Sequence, residues 1–307
     1  MDINRWGIIY SAKAGLANSY KRWLAIQAYM EKRCVQYDFV QSEGSGSVER
    51  LTKMLCDNHY HTIVVVGNDA ALNEALNGIF RAEQLIDDFA FALLPNGIGN
   101  DFARFWGITV DDYKRVIDSI IARRTKKIDV GMCTYTDGDN VPHQRYFINC
   151  VNIGLGARLI DVTSKANRLI GSRRLSIIPV AIANIFERKS FDIRLKIDTE
   201  ELSGQVMSIC VGNSLGYGQT PNSVPYNSLL DISVITRPKW WQLLEGFYLL
   251  GKGQFLNYKN VHPYRAQRVE ILDEGKARIS LDGSMIEESQ ISPMRIEVVP
   301  EALNFII

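Results

Sequence analysis

Through the first third of the chain, short apolar runs alternate with longer stretches of helical spacing. Residues 7–10 (Gly-Ile-Ile-Tyr) read as a strand, and residues 19–33 as a helix with apolar positions at Trp23, Leu24, Ile26 and Met30. Strands follow at 35–40, 62–66 and 89–94, with helices at 47–57, 71–81, 100–106 and 110–123 between and after them. The run 62–66 (Thr-Ile-Val-Val-Val) is β-branched at every position, which suits a strand buried on both faces. Strands alternating with helices in this way predict a parallel, doubly wound sheet.

The pattern changes near residue 128. Residues 128–135 and 145–151 read as strands joined by a turn at Asp137-Gly138-Asp139-Asn140. A long helical stretch is expected at about 157–187, interrupted at Gly171 and Pro179. Alternating strand patterns then dominate, at 191–197, 205–211, 230–235, 269–272 and 277–281, with one helix at about 238–250. This half predicts an antiparallel sandwich or barrel. The expected fold is therefore an N-terminal doubly wound α/β nucleotide-binding domain followed by a C-terminal antiparallel β-sandwich. The expected boundaries are 1–127 for the first domain and 128–293 for the second.

Composition adds mainly exclusions. The 307 residues carry 35 Lys+Arg against 34 Asp+Glu, so net charge gives no reason to expect nucleic acid as a partner. Five cysteines, an odd number with no Cys-x-x-Cys pair, argue against a disulfide framework or a structural zinc site and suit a reducing cytoplasm. The N-terminus lacks the plan of a signal peptide, and no run reaches the roughly 18 apolar residues of a spanning helix. The expected location is cytoplasmic, with any membrane contact peripheral at the inner face.

Two stretches carry candidate chemistry. Val66-Gly67-Asn68-Asp69-Ala70-Ala71-Leu72-Asn73-Glu74 takes a buried strand directly into a helix. Leu94-Pro95-Asn96-Gly97-Ile98-Gly99-Asn100-Asp101-Phe102-Ala103-Arg104 does the same after the next strand. Ligands of open α/β sheets collect at the carboxyl ends of strands, and helix-opening N–H groups suit phosphate. Each stretch taken alone is equally an ordinary strand–turn–helix with a polar cap.

The pair at this spacing resembles the diacylglycerol kinase catalytic family, whose motifs are Gly-Gly-Asp-Gly-Thr and Pro-x-Gly-Thr-Gly-Asn-Asp-Phe-Ala-Arg. A NAD kinase shares the first loop, but the run from Gly97 to Arg104 resembles the lipid-kinase branch. Further likenesses are Ser42 at the end of the second strand, Ile128-Asp129-Val130-Gly131, Val211-Gly212-Asn213 and Leu281-Asp282-Gly283. The resemblance implies ATP held by Ser42, Gly67, Asn68, Asp69, Asn73, Glu74, Gly97, Gly99, Asn100 and Asp101. It also implies Mg²⁺, a lipid hydroxyl as acceptor, and catalytic positions at Asp69, Asp282 and residue 284. The tail 294–307 is expected to return to the first domain. A peripheral membrane contact and a homodimer are left open.

The sequence departs from those motifs where the chemistry is concentrated. Gly-Gly-Asp-Gly-Thr is Gly67-Asn68-Asp69-Ala70-Ala71, and the next Thr is Ile98. If the two lost glycines required positive φ, Asn68 would tolerate it modestly and Ala70 poorly. Asp-Gly-Glu has become Asp282-Gly283-Ser284, and a serine cannot take up a proton at neutral pH as a carboxylate does. Tyr226-Asn227-Ser228 stands where the family has an acidic, Mg²⁺-holding segment. The expectation is a lipid-kinase fold with weak or lost phosphoryl transfer, the alternative being a non-catalytic lipid- or nucleotide-binding protein.

Overall fold

The computed structural model describes residues 5–11, 18–44, 46–83, 89–97, 99–158, 190–275, 277–286 and 293–307. The sequence expectations that fall on 98 and 159–187 lie outside the described residues. The chain divides into two compact units, Met1–Ile128 with Glu301–Ile307, and Asp129–Pro300.

The first unit is built on a parallel sheet. Its strands are β1 (Trp6–Tyr10), β2 (Tyr37–Gln41), β3 (Thr62–Gly67), β4 (Ala90–Pro95) and the last residues of β15 (Met294–Ile306). They run in the order β2-β1-β3-β4-β15, every neighbouring pair parallel. β3 and β4 are buried at every residue, as the unbroken β-branched run 62–66 predicts. Helices α1 (Ser19–Lys32), α2 (Ser47–Asp57), α3 (Asp69–Phe80), α4 (Asp101–Phe105) and α5 (Tyr113–Ile121) alternate with these strands or follow them. In α1 the buried Trp23, Ile26 and Met30 recur at three- and four-residue steps, and Trp23 stacks on Tyr10 of β1 at 5.0 Å.

Helix α2 starts at Gly46, whose φ of 76° excludes an ordinary capping side chain. The cap comes instead from α3, where the Glu74 carboxylate accepts the Val48 N–H at 3.1 Å. A carboxylate at a helix N-terminus is favourable on both hydrogen-bonding and dipole grounds.

The second unit is antiparallel. β5 (Thr125–Thr136) and β6 (Pro142–Phe147) form a hairpin whose turn is held by Asp137, which accepts the N–H groups of Asp139 and Val141 at 2.9 Å each. β7 (Cys150–Gly154), β8 (Phe191–Ile197), β9 (Glu200–Gly212), β10 (Leu230–Thr236), β11 (Val261–Ala266), β12 (Arg268–Asp273), β13 (Ile279–Leu281) and β14 (Ser284–Met285) complete it. The long β9 pairs with β8 along its first half and with β7 and β10 along its second. A cluster including Phe147, Val151, Ile209, Val211, Ile232 and Ile271 fills the sandwich. Helix α6 (Trp240–Gly251) lies over a second cluster of Met207, Ile235, Leu243, Phe255, Tyr258 and Val261.

β5 and β15 each pass from one unit to the other. Met294–Glu297 of β15 pairs with β12 in the second unit, and Asn304 and Phe305 pair with β4 in the first. The division therefore falls at 300/301, within the strand.

Two expectations are corrected. The strand expected at 145–151 is two strands, β6 and β7, parted at Ile148–Asn149 where a buried carboxylate takes up the backbone N–H groups. Strand β11 was not expected, because Pro263, His262 and Arg265 hide its pattern. Among the described residues it pairs only with β10, and an edge strand tolerates a proline.

All five cysteines are free, four buried and Cys34 exposed. Burial pushes the Cys56 thiol up to about 12 and raises those of Cys133 and Cys150 as well. A native-state titration with a thiol reagent at neutral pH is expected to modify Cys34 alone, with the other four reacting only in denaturant. Rapid native labelling of a second cysteine contradicts this packing.

Candidate functional site

In the strand order β2-β1-β3-β4, the chain leaves β1 toward β2 on one side and β3 toward β4 on the other. The two directions part between β1 and β3, and the carboxyl ends of strands at such a switch point form the ligand crevice of an open α/β sheet. The Ser11 N–H bonds the Val66 carbonyl at 2.9 Å there, and a Cβ on Gly67 would stand 2.9 Å from the Ala71 Cβ and 3.1 Å from the Ser11 Cβ. Gly67 is thus required by close packing. Ser42, buried at the end of β2, donates its N–H to the Tyr10 carbonyl at 2.9 Å.

Neither lost glycine position demands left-handed backbone. Asn68 is extended (φ −120°, ψ −176°), and Ala70 lies in the first turn of α3. The backbone objection to those two substitutions is therefore removed. What changes is the surface. The Asn68 side chain caps α3 by accepting the Ala71 N–H at 3.2 Å, occupying a donor that a glycine would leave uncovered.

Asp69 joins the two glycine stretches. Its N–H donates to the Gly99 carbonyl at 2.9 Å. Its carboxylate accepts the N–H of Asp101 at 2.7 Å and that of Phe102 at 3.3 Å, so it caps α4 from the neighbouring loop. Gly99 supplies the left-handed turn between the loops with a φ of 83°. Asn96, fully buried, adds another tie by accepting from Arg22 at 2.9 Å and donating to the Ser19 carbonyl at 3.1 Å. Asn100 donates to the Gly97 carbonyl at 2.7 Å, while its Oδ1 is buried without a partner among the described residues. Asp101 pairs with Arg104. Asn73 accepts from Asn77 through its backbone carbonyl at 2.9 Å, and Glu74 caps α2, so these two brace α3.

Asp69→Ala is expected to cost about 2–3 kcal/mol in the first unit, since two N–H groups at the start of α4 lose a charge-assisted partner. Urea unfolding measures this. A loss below about 0.5 kcal/mol is incompatible with the tie.

In the second unit, Asp282 and Gly283 form the two-residue turn between β13 and β14, both with positive φ (44° and 89°). Asp-Gly with this backbone is the favoured chemistry for a tight hairpin. The buried Asp282 carboxylate accepts three N–H groups, from Ile148 at 2.6 Å, Asn149 at 2.9 Å and Cys150 at 2.8 Å. It sets the path of the chain between β6 and β7. Asn213 bonds the carbonyls of Asp129 and Ile148 at 3.0 Å each, behind the same turn. Ser284, the first residue after the turn, is exposed. The structure thus divides the three expected catalytic positions into two buried backbone ties, Asp69 and Asp282, and one exposed serine.

The residues around 226–231 do not fit a structural Mg²⁺. Asp129 accepts the Ser228 N–H at 2.6 Å, and Asp231 is paired with Arg265 at 2.9 Å. Among the described residues no group of three His, Cys, Asp or Glu side chains is placed to hold a metal ion. No described helix is long and apolar enough to cross a membrane.

This arrangement of parallel sheet and sandwich is the fold of diacylglycerol kinase and NAD(H) kinase structures. A crystal structure of a diacylglycerol kinase from Bacillus anthracis str. Sterne superposes with a TM-score of 0.67 at 15% identity, covering 100% of this chain and 97% of that one. Yeast NADH kinase complexed with NADH superposes with a TM-score of 0.55 at 10% identity, covering 99% and 82%. Residues 5–133 match the diacylglycerol kinase catalytic domain, and residues 149–307 match the YegS C-terminal NAD kinase beta sandwich-like domain. The chain belongs to the diacylglycerol kinase family of lipid kinases. Among its relatives, "Probable lipid kinase YegS-like" of Shewanella frigidimarina (strain NCIMB 400) is 26% identical over 87% of this chain and 83% of its own length. "Diacylglycerol kinase" of Bacillus subtilis (strain 168) is 22% identical over 92% and 90%.

Proposed function

We propose that this protein binds ATP on the loops 67–71 and 96–101 and takes a lipid alcohol as acceptor, with phosphoryl transfer slowed by the absence of a carboxylate at residue 284. The observation that carries the reading is the pair of glycine loops at the switch point, tied together by Asp69, with the buried Asn100 Oδ1 meeting no donor among the described residues. A nucleotide's N–H or O–H would supply the missing donor.

In the transfer, the bond between the γ-phosphorus and the β-bridging oxygen breaks, a bond to the lipid oxygen forms, ADP leaves, and the hydroxyl proton must be taken up. Ser284 offers no site for that proton, so water receives it and the step is slow. Asp69 and Asp282 act as positioning residues, because their carboxylates hold backbone N–H groups. No step is assigned to a protein-held Mg²⁺, since the residues do not provide its site.

The test has two arms. Thermal unfolding with Mg-ATP is expected to show stabilisation, about 2.7 kcal/mol at a hundredfold excess over the dissociation constant. Transfer of labelled γ-phosphate to diacylglycerol in mixed micelles is expected to be slow but above background. No ATP-induced shift at millimolar ATP overturns the nucleotide site, and turnover at about 1–100 s⁻¹, ordinary for a kinase, overturns the role given to residue 284.

A further inference from the structure

The hairpin of β8 and β9 lacks a side chain in the middle of its inner face. Register sets Leu195 opposite Leu202 and Ile193 opposite Gly204. Leu202, Gly204 and Val206 alternate onto the sandwich side of β9, so the position between two apolar residues is empty. Among the described residues, nothing beyond its chain neighbours comes within 4 Å of where a Gly204 Cβ would stand. Strand β10 parts from β9 close by. Their last pair is Thr236 with Val206, reached after a register shift beyond Ile235.

The missing side chain and the parting strands leave a cavity of ≈ 300 Å³. Its floor is apolar. Ile193, Leu195, Val206 and Val234 are buried there, and Leu202 and Tyr264 pack half-buried beside them. Its rim is polar and bears no fixed charge. Ser203, Gln205 and His262 are exposed at the mouth, and the Thr236 Oγ1 lies 3.4 Å from the His262 Nε2. No Asp, Glu, Lys or Arg lines the cavity. Hydroxyl, amide and imidazole groups pair well with hydroxyls and ester carbonyls, whereas an ionised head group finds no counter-ion among them. Size selects as well. At about 30 Å³ per water-sized group, the space takes about ten heavy atoms. That suits one short acyl chain and excludes the two chains of a diacylglycerol.

We infer that this cavity binds a single-chain lipid with an uncharged, hydroxylated head, of the monoacylglycerol class. The chain lies on the apolar floor over Gly204, and the head meets Gln205, Thr236 and His262 at the rim. The cavity faces the sandwich. Met207 and Ile235, the next residues along β9 and β10, belong instead to the cluster under α6 on the other side of the same strands. Binding here goes beyond the proposed function and needs neither ATP nor phosphoryl transfer.

The test is a methyl-detected NMR titration of the full chain with 1-monooctanoylglycerol, below its micelle concentration and without nucleotide. Saturable shifts are expected at the methyls of Ile193, Leu195, Val206 and Val234, and not at those of Leu243 and Val261. Ionised octanoate is expected to bind about tenfold more weakly. Leu202→Trp fills the floor from a half-buried position and is expected to weaken binding by about tenfold or more, with little change in thermal midpoint. Gln205→Ala with Thr236→Val keeps the floor and strips the rim, and a loss of about three- to tenfold is expected. Absent saturable shifts at the floor methyls overturn the site. So does unchanged affinity in the rim variant or in a folded Leu202→Trp. Shifts at Leu243 and Val261 instead assign the lipid to the cluster under α6 and also overturn it. Octanoate binding as tightly as the glyceride overturns the uncharged head. Should Leu202→Trp not fold, the rim variant decides. Failure of ATP to bind removes the nucleotide site and leaves this cavity untouched.

Discussion

Asp282→Ala is expected to destabilise the second unit by about 4 kcal/mol or more, because three buried N–H groups lose a charged acceptor at about 1–3 kcal/mol each. A domain has roughly 5–15 kcal/mol to lose, so the variant should be marginal or aggregate on expression. Asp282→Asn separates charge from backbone effects. Asparagine tolerates the positive φ at this position, and its Oδ1 can still serve Asn149 and Cys150. Its amide then faces the Ile148 N–H donor to donor, so an intermediate loss of about 2 kcal/mol is expected. Denaturant unfolding of both variants gives the comparison, and a loss below about 1 kcal/mol for Asp282→Ala removes the carboxylate from its structural role.

The second large effect is a gain. Ser284→Glu combined with Asn68→Gly, Ala70→Gly and Ala71→Thr is expected to raise phosphoryl transfer to diacylglycerol by about 10²–10⁴-fold, the usual worth of a general base. Position 284 is exposed, so the new carboxylate is not buried there. Removing the Asn68 side chain uncovers the Ala71 N–H, and neither position 68 nor position 70 is held in left-handed backbone. Ala71 is 4% exposed and packs near Gly67, so the variant lacking Ala71→Thr serves as the control for strain. Equal rates for wild type and the restored chain mean that proton removal at residue 284 does not limit the reaction. A rise with Asn68→Gly and Ala70→Gly alone moves the defect from the base to the phosphate cradle.

The parallel half was legible because its signals are local. Strands buried on both faces read as unbroken apolar runs, and the helices between them repeat at three and four residues. The helix 47–57 and the strand 191–197 were read to the residue. The sandwich was harder. A break caused by a carboxylate 134 positions away leaves no mark on the periodicity around Ile148. An edge strand held from one side only, as β11 is, keeps too little pattern to be seen. The same limit applied to the site. Asp69 was legible as a motif residue, but its tie to Asp101 and Phe102 crosses from one loop to the next. Asn96 was visible within Pro-Asn-Gly, and nothing in its neighbours announced Arg22 or Ser19 as partners.

The sequence by itself determined the family, the two-part architecture and the residues that differ from the family's motifs, because these depend on identity and spacing along the chain. Only the tertiary structure decided what each retained aspartate does. Backbone N–H groups brought together from distant segments compete for those carboxylates, and at Asp69 and Asp282 they have taken them. It also decided which face of α6 is exposed, since a helix apolar all round shows no preferred side until its partners bury one.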